Sequence, residues 1–527
     1  MKFQRNYEQP EPCKSFKDNY MNVICSYIPQ TNTKWMVWLG LSFSVLINSS
    51  CNNDKESQKP NIVYILADDM GYGDVQCNNP DSKIPTPNID RLASEGMRFT
   101  DGHSPAQICT PSRYSILTGR YYWRNKVYEE IGWRVIQAWQ KPLIEPNRLT
   151  FPGMLKDQGY HTACIGKWHL GFNWQVKKGK REGGGNYKNL DYTKKVKGGP
   201  ITRGFDYFFG LDAPNRSVAF IENDRHTQIP SQKPYNSVVA RWADKTAEGW
   251  TFEKILPTLT QKALDYIERR SESDSAFFIY YALTAPHTPI APDSAFIDNS
   301  GAGRYGDFVN QIDHDIGRII QTLEEQGLYD NTVVIFSSDN GSPERDGTNY
   351  FGGLKTVLKY DHYPNDPWRG MKADLWEAGH RVPFIVRWLG VVKPNTTSDV
   401  PVSQIDFMRT FANYLEIELP KNAAEDSYNI LPVLQGKQTD GHDPIIVYNS
   451  NKPTIRLGKL KLILDKGPTG FSRHAGYEPP VDAPEGQLYN MEKDPQEQNN
   501  LYDEKKEMVS RLKDSLEAYK KEGSSSF

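Results

Sequence analysis

Two pairs of oxygen-bearing side chains follow apolar runs that have the length of buried strands. Asp68 and Asp69 come directly after the run NIVYILA, and Asp339 and Asn340 come shortly after the run TVVIFS. On a parallel sheet both strand ends meet at one edge, where carboxylates repel one another unless a cation lies among them. Carboxylate and amide oxygens suit Ca²⁺ or Mg²⁺ better than Zn²⁺. The two pairs together predict a divalent metal site, whereas either pair alone is more often the cap of a helix or turn.

A cysteine stands at the predicted start of a helix. The segment from Cys109 to Arg113 reads CTPSR, and LTGR follows four residues later. Pro111 and Ser112 suit a helix start, which puts residue 109 at the positive end of the helix, where an anionic group is stabilised. Arg113 lies one turn further and can face the same anion. The segment therefore predicts an anion-handling site around Cys109.

The cysteines do not read as a disulfide framework. The sequence contains six, at Cys13, Cys25, Cys51, Cys77, Cys109 and Cys164. The first two leave with a predicted export segment and the third stands at its end, so an odd number remains in the body of an exported protein. At least one of the remaining three therefore needs chemistry or a free buried thiol as its explanation.

The N-terminal residues read as an export segment. Residues 35–47 are apolar and follow Lys34, and this run has the length of a signal-peptide core rather than of a membrane span. Small residues before Cys51 resemble a bacterial lipoprotein cleavage site, although Asn48 departs from the aliphatic residue that is usual there. We expect export to the periplasm or cell surface, with a lipid anchor at Cys51 if the protein is an outer-membrane lipoprotein. The alternative is a buried helix.

Alternating strand and helix patterns indicate the fold that positions these groups. Buried strands are predicted at residues 61–67, 277–283, 332–337 and 382–388, and amphipathic helices at residues 87–95 and 307–326. This order predicts an α/β fold with a large, mostly parallel sheet sandwiched by helices. Active sites on such sheets lie beyond the carboxyl ends of the strands.

The pattern changes after about residue 440. Short strands are predicted at residues 445–448, 454–457 and 460–464, before a charged helix at residues 504–521. They predict a smaller C-terminal antiparallel sheet plus helix. The expected domains are an export segment with linker (1–58), a catalytic domain (59–440) and a C-terminal α+β subdomain (441–527).

Composition and net charge limit the classes of function that the protein can have. The 527 residues exceed what a single core usually fills, and 38% are hydrophobic and 24% charged, as in ordinary folded proteins. The formal net charge of −2 argues against a nucleic-acid partner, because no excess of Lys and Arg exists to neutralise phosphates. The many Trp and Tyr residues are compatible with carbohydrate contacts and equally with core packing.

Seven motifs, the Cys109 segment and six others, together resemble the formylglycine-dependent sulfatases. This type I sulfatase family belongs to the alkaline-phosphatase-like superfamily, and the resemblance, closest to bacterial polysaccharide and glycan sulfatases, covers about residues 60–505. The motifs that carry it are, in chain order, DDMG from Asp68, CTPSR from Cys109 with the following LTGR, GKWHLG around Lys167, APHTP around His287, SDNG around Asp339, RGMK ending at Lys372, and a C-terminal QLYN with DP.

The resemblance implies a modified residue and a metal ion. A formylglycine-generating or anaerobic sulfatase-maturing enzyme would oxidise Cys109 to an aldehyde, formylglycine, which hydrates to a diol. One Ca²⁺ would be bound by residue 109 together with Asp68, Asp69, Asp339 and Asn340. One hydroxyl of the diol would attack sulfur, and the other would then expel sulfate and regenerate the aldehyde.

The resemblance also implies roles around the sulfate for the remaining motif residues. The resemblance implies that Arg113 and Lys167 hold the hydrated aldehyde and that His169 helps to deprotonate its second hydroxyl. His287 and Lys372 would contact sulfate, with His287 as proton donor to the leaving oxygen. Positive groups around the transferring sulfate, and histidines that exchange protons near neutral pH, agree with what this chemistry needs.

The substrate is predicted from a polar segment and from the compartment. Residues 213–226 include Arg216 and Arg225, which can pair with carboxylates, and His226, although a solvated loop is an equal alternative. His380 stands where the family often has an aliphatic residue and is predicted as a further substrate contact. The expected substrate is a sulfated carbohydrate derived from a polysaccharide, with its terminal sugar in a pocket.

Two other functions remain open at this point. A phosphate-ester hydrolase of the same superfamily would hold two Zn²⁺ with several His ligands and a Ser or Thr nucleophile, whereas the metal motifs here offer Asp and Asn. A catalytically dead, glycan-binding homologue would keep an unmodified thiol at Cys109, and the intact catalytic set counts against it. Zinc analysis and peptide mass spectrometry separate these alternatives.

Overall fold

The strands and helices were located in a computed structural model. It describes residues 59–126, 135–136, 140–180, 187–449 and 452–525. The predicted export segment (1–58), with the lipid-anchor position Cys51, lies outside these residues. Within them, no helix combines the length and the apolar character that crossing a membrane requires.

The described strands form one large sheet and two smaller ones. Their bounds are β1 (Asn61–Asp68), β2 (Met97–Phe99), β3 (Gly102–His103), β4 (His161–Lys167), β5 (Tyr207–Leu211), β6 (Ile221–Glu222), β7 (Arg225–His226), β8 (Phe277–Pro286), β9 (Thr332–Ser338), β10 (Phe384–Arg387), β11 (Thr396–Ser398), β12 (Val402–Ser403), β13 (Ile445–Asn449), β14 (Lys452–Leu457), β15 (Leu460–Ile463) and β16 (Gln487–Asn490). The large sheet has the order β11-β2-β10-β9-β1-β8-β4-β5-β6-β7.

The centre of the large sheet is parallel and its margins are mixed. Strands β9, β1, β8, β4 and β5 run parallel to one another. Strand β10, predicted from the apolar run at residues 382–388, is antiparallel to β9 and to β2, and β6 and β7 are antiparallel at the other margin. All residues of β1 and β8 are buried, as expected for strands covered on both faces. The predicted α/β class is confirmed.

Helices cover both faces of this sheet. Their bounds are α1 (Pro87–Glu95), α2 (Cys109–Thr118), α3 (Phe151–Asp157), α4 (Ser237–Trp242), α5 (Ile255–Ser271), α6 (Gly303–Glu325), α7 (Phe407–Tyr414), α8 (Leu431–Leu434), α9 (Phe471–His474) and α10 (Lys506–Glu522). Successive residues of β8 point to opposite layers. The ring of Phe278 lies 5.0 Å from that of Phe151 in α3, and the hydroxyl of Tyr281 lies 2.8 Å from that of Thr260 in α5.

The C-terminal region forms the predicted smaller sheet plus helix. Strands β13 to β16 pair antiparallel in chain order. One face packs on α10 and on two residues of the larger body, Tyr121 and Ile405. The other face packs on Leu375 and Trp376. The sheet therefore lies against the segment that carries Lys372. The exact domain boundaries remain a prediction.

Candidate active site

The carboxyl ends of neighbouring strands bring the two oxygen-bearing pairs together. Ala67 of β1 is paired with Ser338 of β9, so the residues that follow both strands emerge side by side. The backbone N–H of Asp69 donates to Asp339 Oδ1 at 3.2 Å, and the Asn340 amide donates to Asp69 Oδ1 at 2.7 Å. The side chains are fully or almost fully buried. The parallel arrangement thus creates the acidic edge that the sequence pattern anticipates.

Cys109 opens α2 directly beside this acidic edge. Its Sγ lies 3.4 Å from Asp68 Oδ1 and 3.9 Å from Asp69 Oδ1. Lys372 Nζ approaches the same sulfur at 3.5 Å and also donates to Asp69. Burial raises the pKa of the Cys109 thiol, and the negative charge of Asp339 adds to this effect despite the nearby lysines. An unmodified cysteine here is therefore a poor thiolate nucleophile.

Each carboxylate at this edge is paired with a cationic side chain. Lys167, at the end of β4, lies 2.7 Å from Asp68, and Arg113, on α2, lies 2.8 Å from Asp339. Burial acts to raise the pKa of Asp69, but Lys372 and the other cations outweigh it and hold that pKa well below its usual range. We call Asp68, Asp69, Asp339, Lys167 and Lys372 the edge cluster.

The donor atoms at this edge suit a hard divalent cation. Candidate ligand atoms of Asp68, Asp69, Cys109 and His287 all lie within 4.8 Å of one another. The Asn340 amide nitrogen is used in hydrogen bonds, while its Oδ1 is buried and has no hydrogen-bond partner. A buried amide oxygen without a donor is costly unless a cation or another ligand meets it. Oxygen donors of this kind fit Ca²⁺ or Mg²⁺.

Two histidines lie next to the cluster. His287 follows β8, and its Nε2 is 3.8 Å from Asp69 Oδ2 while its Nδ1 is hydrogen-bonded to the carbonyl of Thr288. Burial lowers the pKa of His287 to about 3, and the positive charges of the two lysines contribute. His169 has a left-handed backbone (φ 53°) and a buried Nδ1 without a partner. Burial, reinforced by Lys167, lowers its pKa well below 6.5.

A cavity of about 390 Å³ opens onto these groups. It is lined by Cys109, His169, His287, Lys372, Asn215, Arg216 and Phe471, with Ile108, Val135 and Ala213. Arg216 is held in place because its Nε donates to Asp212 at 2.9 Å and a terminal nitrogen donates to the carbonyl of Ile136. Of the predicted substrate contacts, Arg216 lies at this cavity.

The other predicted substrate contacts in the 213–226 segment lie elsewhere. Arg225 is exposed on β7, and neither it nor His226 lines the cavity. The His226 ring packs between aromatic rings, at 6.0 Å from Trp174 and 4.6 Å from Tyr192. The polar pattern of this segment therefore reflects a hairpin at the margin of the sheet rather than a continuous sugar-binding surface.

His380 requires a correction, because it is buried away from the cavity. Its Nδ1 lies 2.9 Å from Nδ1 of His103, and its Nε2 accepts from Lys461 at 3.3 Å. His103 Nε2 bonds Asp101 at 2.7 Å, and Lys461 bonds Glu377 at 2.8 Å. We call these five residues the inner cluster. His380 thus joins β3 to β15 and is not a substrate contact of this cavity.

Sequence reasoning missed Phe471 as a residue of the site. It belongs to the C-terminal region, far along the chain from the catalytic motifs, and it lies at the cavity because residues 468–472 pack on the segment around Lys372. The dipeptide Gly470–Phe471 was the available signal, since a glycine before an aromatic residue permits close backbone approach.

Comparison with known proteins identifies relatives over most of the chain. The family described as Sulfatase matches residues 60–417. An N-acetylgalactosamine-6-O-sulfatase of Bacteroides thetaiotaomicron is 34% identical over 508 residues, covering 89% of this chain and 94% of that protein. An N-acetylgalactosamine-6-sulfatase of Mus musculus is 32% identical over 416 residues, covering 77% and 72%. A solved structure concerned with the metabolism of multiple glycosaminoglycans by B. thetaiotaomicron has a TM-score of 0.74 at 30% identity, covering 88% of this chain and 100% of that one.

Proposed function

The chain belongs to the sulfatase family, whose members hydrolyse sulfate esters, and we propose that it is an exported, Ca²⁺-dependent carbohydrate sulfatase with formylglycine at position 109. The observation that carries the proposal is the convergence of Asp68, Asp69 and Lys372 on the Cys109 side chain at the base of a cavity. A sulfated sugar is proposed as substrate because the relatives include N-acetylgalactosamine-6-sulfatases from a bacterium and a mammal.

The metal proposal rests on the oxygen donors at the sheet edge. Asp68, Asp69, Asp339 and the orphan Oδ1 of Asn340 would hold the ion together with the side chain at position 109. When bound, Ca²⁺ supplies positive charge against which negative charge can develop on the reacting oxygens. Four oxygen-bearing side chains from two strand ends favour Ca²⁺ over the zinc sites of related phosphate-ester hydrolases.

Formylglycine is proposed at position 109 because burial raises the pKa of the unmodified thiol, which makes it a poor nucleophile. The hydrated aldehyde would supply two hydroxyls, one to attack sulfur as the alcohol leaves and one whose deprotonation would expel sulfate and regenerate the aldehyde. The fully buried side chains of Arg113 and Lys167 supply fixed positive charge near position 109 and are held by their contacts with Asp339 and Asp68. The buried Nδ1 of His169 has no protein partner and is the proposed acceptor of a hydroxyl proton.

The opposite proton transfer is assigned to His287. Its Nδ1 is engaged with the Thr288 carbonyl, so Nε2 is the atom that can give a proton to the leaving oxygen. A bound sulfate ester brings negative charge next to this ring, and nearby negative charge favours the protonated form of histidine. Lys372, within reach of position 109, would contact a sulfate oxygen and would stabilise negative charge more strongly in the transition state than in the ground state.

The compartment is proposed from residues 1–58. An apolar run of signal-peptide length, followed by small residues and Cys51, supports export to the periplasm or cell surface. Lipidation of Cys51 would make the protein an outer-membrane lipoprotein. Mass spectrometry of the N-terminal peptide of protein from the membrane fraction tests this: a diacylated Cys51 supports the anchor, and an unmodified mature N-terminus contradicts it.

The activity is tested with protein co-produced with a formylglycine-generating enzyme. We expect sulfate release from N-acetylgalactosamine 6-sulfate within a panel of defined sulfated sugars, and loss of release in Cys109→Ala. Peptide mass spectrometry should find the aldehyde at position 109, and chelation should remove activity that Ca²⁺ restores better than Zn²⁺. Turnover of phosphate esters with bound zinc would instead support the phosphate-ester hydrolase, and an unmodified thiol with glycan binding would support the inactive homologue.

A further inference from the structure

We infer that Phe471 determines sugar specificity: its ring packs against a C–H face of the sulfated sugar, at a distance from the sulfate that the contact with Lys372 fixes. This inference rests on the proposed function and names the residue that would recognise the alcohol part of the ester. Phe471 has no place among the catalytic motifs, and it is half-buried at the cavity that contains Cys109 and Lys372.

The cavity combines what recognition of one sugar ring requires. A pyranose has polar edges and an apolar C–H face, so its site needs an aromatic or aliphatic wall beside a few fixed polar groups. Phe471 supplies an aromatic wall, while Asn215 and the immobilised Arg216 supply polar groups. A volume of about 390 Å³ lies near the lower end of the range of ~300–1,000 Å³ for ligand pockets, which suits one terminal sugar.

The segment that carries Phe471 is attached to the segment that carries Lys372. The N–H of Phe471 donates to the carbonyl of Lys372 at 3.4 Å, and the N–H of Leu375 donates to Pro468 at 2.9 Å. The buried carboxylate of Asp374 accepts from the N–H of Ser472 at 3.1 Å and from its hydroxyl. These contacts join the two segments before and after Phe471 along the chain.

Gly470 permits this attachment. A Cβ added at Gly470 would lie 2.1 Å from the carbonyl carbon and oxygen of Ala373, which is far inside van der Waals contact. Because these atoms belong to the backbone, the neighbour cannot move aside cheaply. Any side chain at position 470 would therefore push Phe471 away from Lys372.

The consequence is a fixed separation between the sulfate and sugar contacts. Lys372, the proposed sulfate ligand, and Phe471 are joined through one backbone hydrogen bond. A sulfate held at Lys372 can therefore present only those ring positions whose C–H face reaches Phe471. The two contacts therefore select for substrates that carry a sugar ring, and among these for the position of the sulfate on the ring.

The test separates sugar recognition from sulfate recognition. Matured wild-type protein, Phe471→Ala and Phe471→Trp are compared with Arg473→Ala, a matched control at an exposed neighbour that does not line the cavity. KM and kcat are measured with N-acetylgalactosamine 6-sulfate in ~0.15 M salt, where exposed charges are largely screened. The inhibition constant of inorganic sulfate reports on the sulfate contacts alone.

Phe471→Ala should raise KM about tenfold, the effect of losing roughly 50 Å² of apolar contact, with kcat within about twofold. Its inhibition constant for inorganic sulfate should be unchanged, and Phe471→Trp and Arg473→Ala should keep the wild-type KM. An unchanged KM in Phe471→Ala overturns the inference. So does an inhibition constant that rises as much as KM, since Phe471 would then act only by placing Lys372.

A binding measurement distinguishes failure of this inference from failure of the proposed function. In the inactive Cys109→Ala protein, C–H protons of N-acetylgalactosamine 6-sulfate should shift upfield in NMR spectra through the ring current of Phe471. Phe471→Ala in the same background should abolish the shift. Binding without an upfield shift rejects Phe471 alone, whereas absence of both turnover and binding across the sulfated-sugar panel rejects the carbohydrate sulfatase and this inference with it.

Discussion

The buried charged side chains at the edge of the parallel sheet contrast with those beneath the C-terminal sheet. Beside the edge cluster, Oδ1 of Asn340 and Nδ1 of His169 have no hydrogen-bond partner, and Lys372 of the cluster lines a cavity. Burial and ion pairing are common to both clusters. Access to a cavity and unpartnered polar atoms are what distinguish the edge cluster.

The polar side-chain atoms of the inner cluster have partners within the protein, and none of its residues lines the cavity. The Lys461 ammonium donates to Nε2 of His380, whose Nδ1–H can donate to His103, whose Nε2–H can donate to Asp101. This chain satisfies both rings in the neutral state, which agrees with burial lowering the pKa of both histidines. Perturbed pKa values and clustered histidines therefore do not by themselves identify an active site.

The largest expected effect is on turnover, from a change in the edge cluster. Lys372→Met removes the cation next to position 109, and kcat for the sulfated sugar should fall about a thousandfold, since one preorganised positive group contributes about 3–4 kcal/mol to a transition state. Steady-state kinetics with matured protein measure this. A kcat within tenfold of the wild-type value, with normal formylglycine content, would contradict the contrast between the clusters.

The matched change in the inner cluster should affect stability instead. Lys461→Met leaves Glu377 and Glu497 buried without the ammonium that lies 2.8 Å from each. The free energy of unfolding should fall by about 3 kcal/mol, because breaking a buried ion pair leaves uncompensated charge. Denaturant unfolding measures the loss, and kcat per folded molecule should stay within about twofold. A selective loss of kcat would show that the inner cluster serves catalysis.

His380→Leu tests the difference between the two clusters at a single position. It removes the partner of His103 Nδ1 and a hydrogen-bond acceptor of Lys461, so the free energy of unfolding should fall by about 2 kcal/mol. KM for the sulfated sugar should not change, because His380 does not line the cavity. An increase in KM with unchanged stability would restore His380 as a substrate contact.

The smallest expected effect is on the pH dependence of stability. Burial lowers the pKa of His380 well below its unfolded value of 6.5, so below pH 6.5 the unfolded state binds more protons. This histidine's contribution to stability is complete above pH 6.5 and is lost as pH falls towards the folded pKa, at up to about 1.4 kcal/mol per pH unit. Urea unfolding between pH 7 and pH 5 should give a shallower pH dependence for His380→Leu than for the wild type. Equal slopes would mean that His380 already carries a proton in the fold.

Local sequence signals predicted three of the five strands at the parallel centre of the sheet, β1, β8 and β9. The apolar run of β1 and the stripe of α6 gave elements close to those observed, and α1 was predicted with its observed bounds, Pro87–Glu95. The sequence analysis did not predict β4 as a strand, because its run HTACIGK mixes polar and small residues. It is buried because β8 and β5 pair with it on either side. Such burial depends on neighbours that the local pattern does not contain.

The residues of the site likewise divide into those that local sequence identifies and those that depend on distant parts of the chain. Asp68 and Cys109 could be singled out because a motif coincides with a strand end at Asp68 and with a helix start at Cys109. His380 was misread because its partner Lys461 comes from β15, far along the chain. Phe471 was missed because only the packing of residues 468–472 on the Lys372 segment brings it to the cavity.

The burial of Cys109 has a consequence for the order of events during biosynthesis. This side chain is 1% exposed, so the proposed oxidation of Cys109 would have to precede the docking of α2. Roughly 360 residues separate Cys109 from Phe471, and at about 5–20 residues per second their synthesis takes ~20–70 s. Before Phe471 has been synthesised, the cavity lacks one of its walls. During that interval the contact of residue 109 with Lys372 and the cavity wall at Phe471 cannot both be in place, so the surroundings of residue 109 are completed only when the C-terminal region has been made.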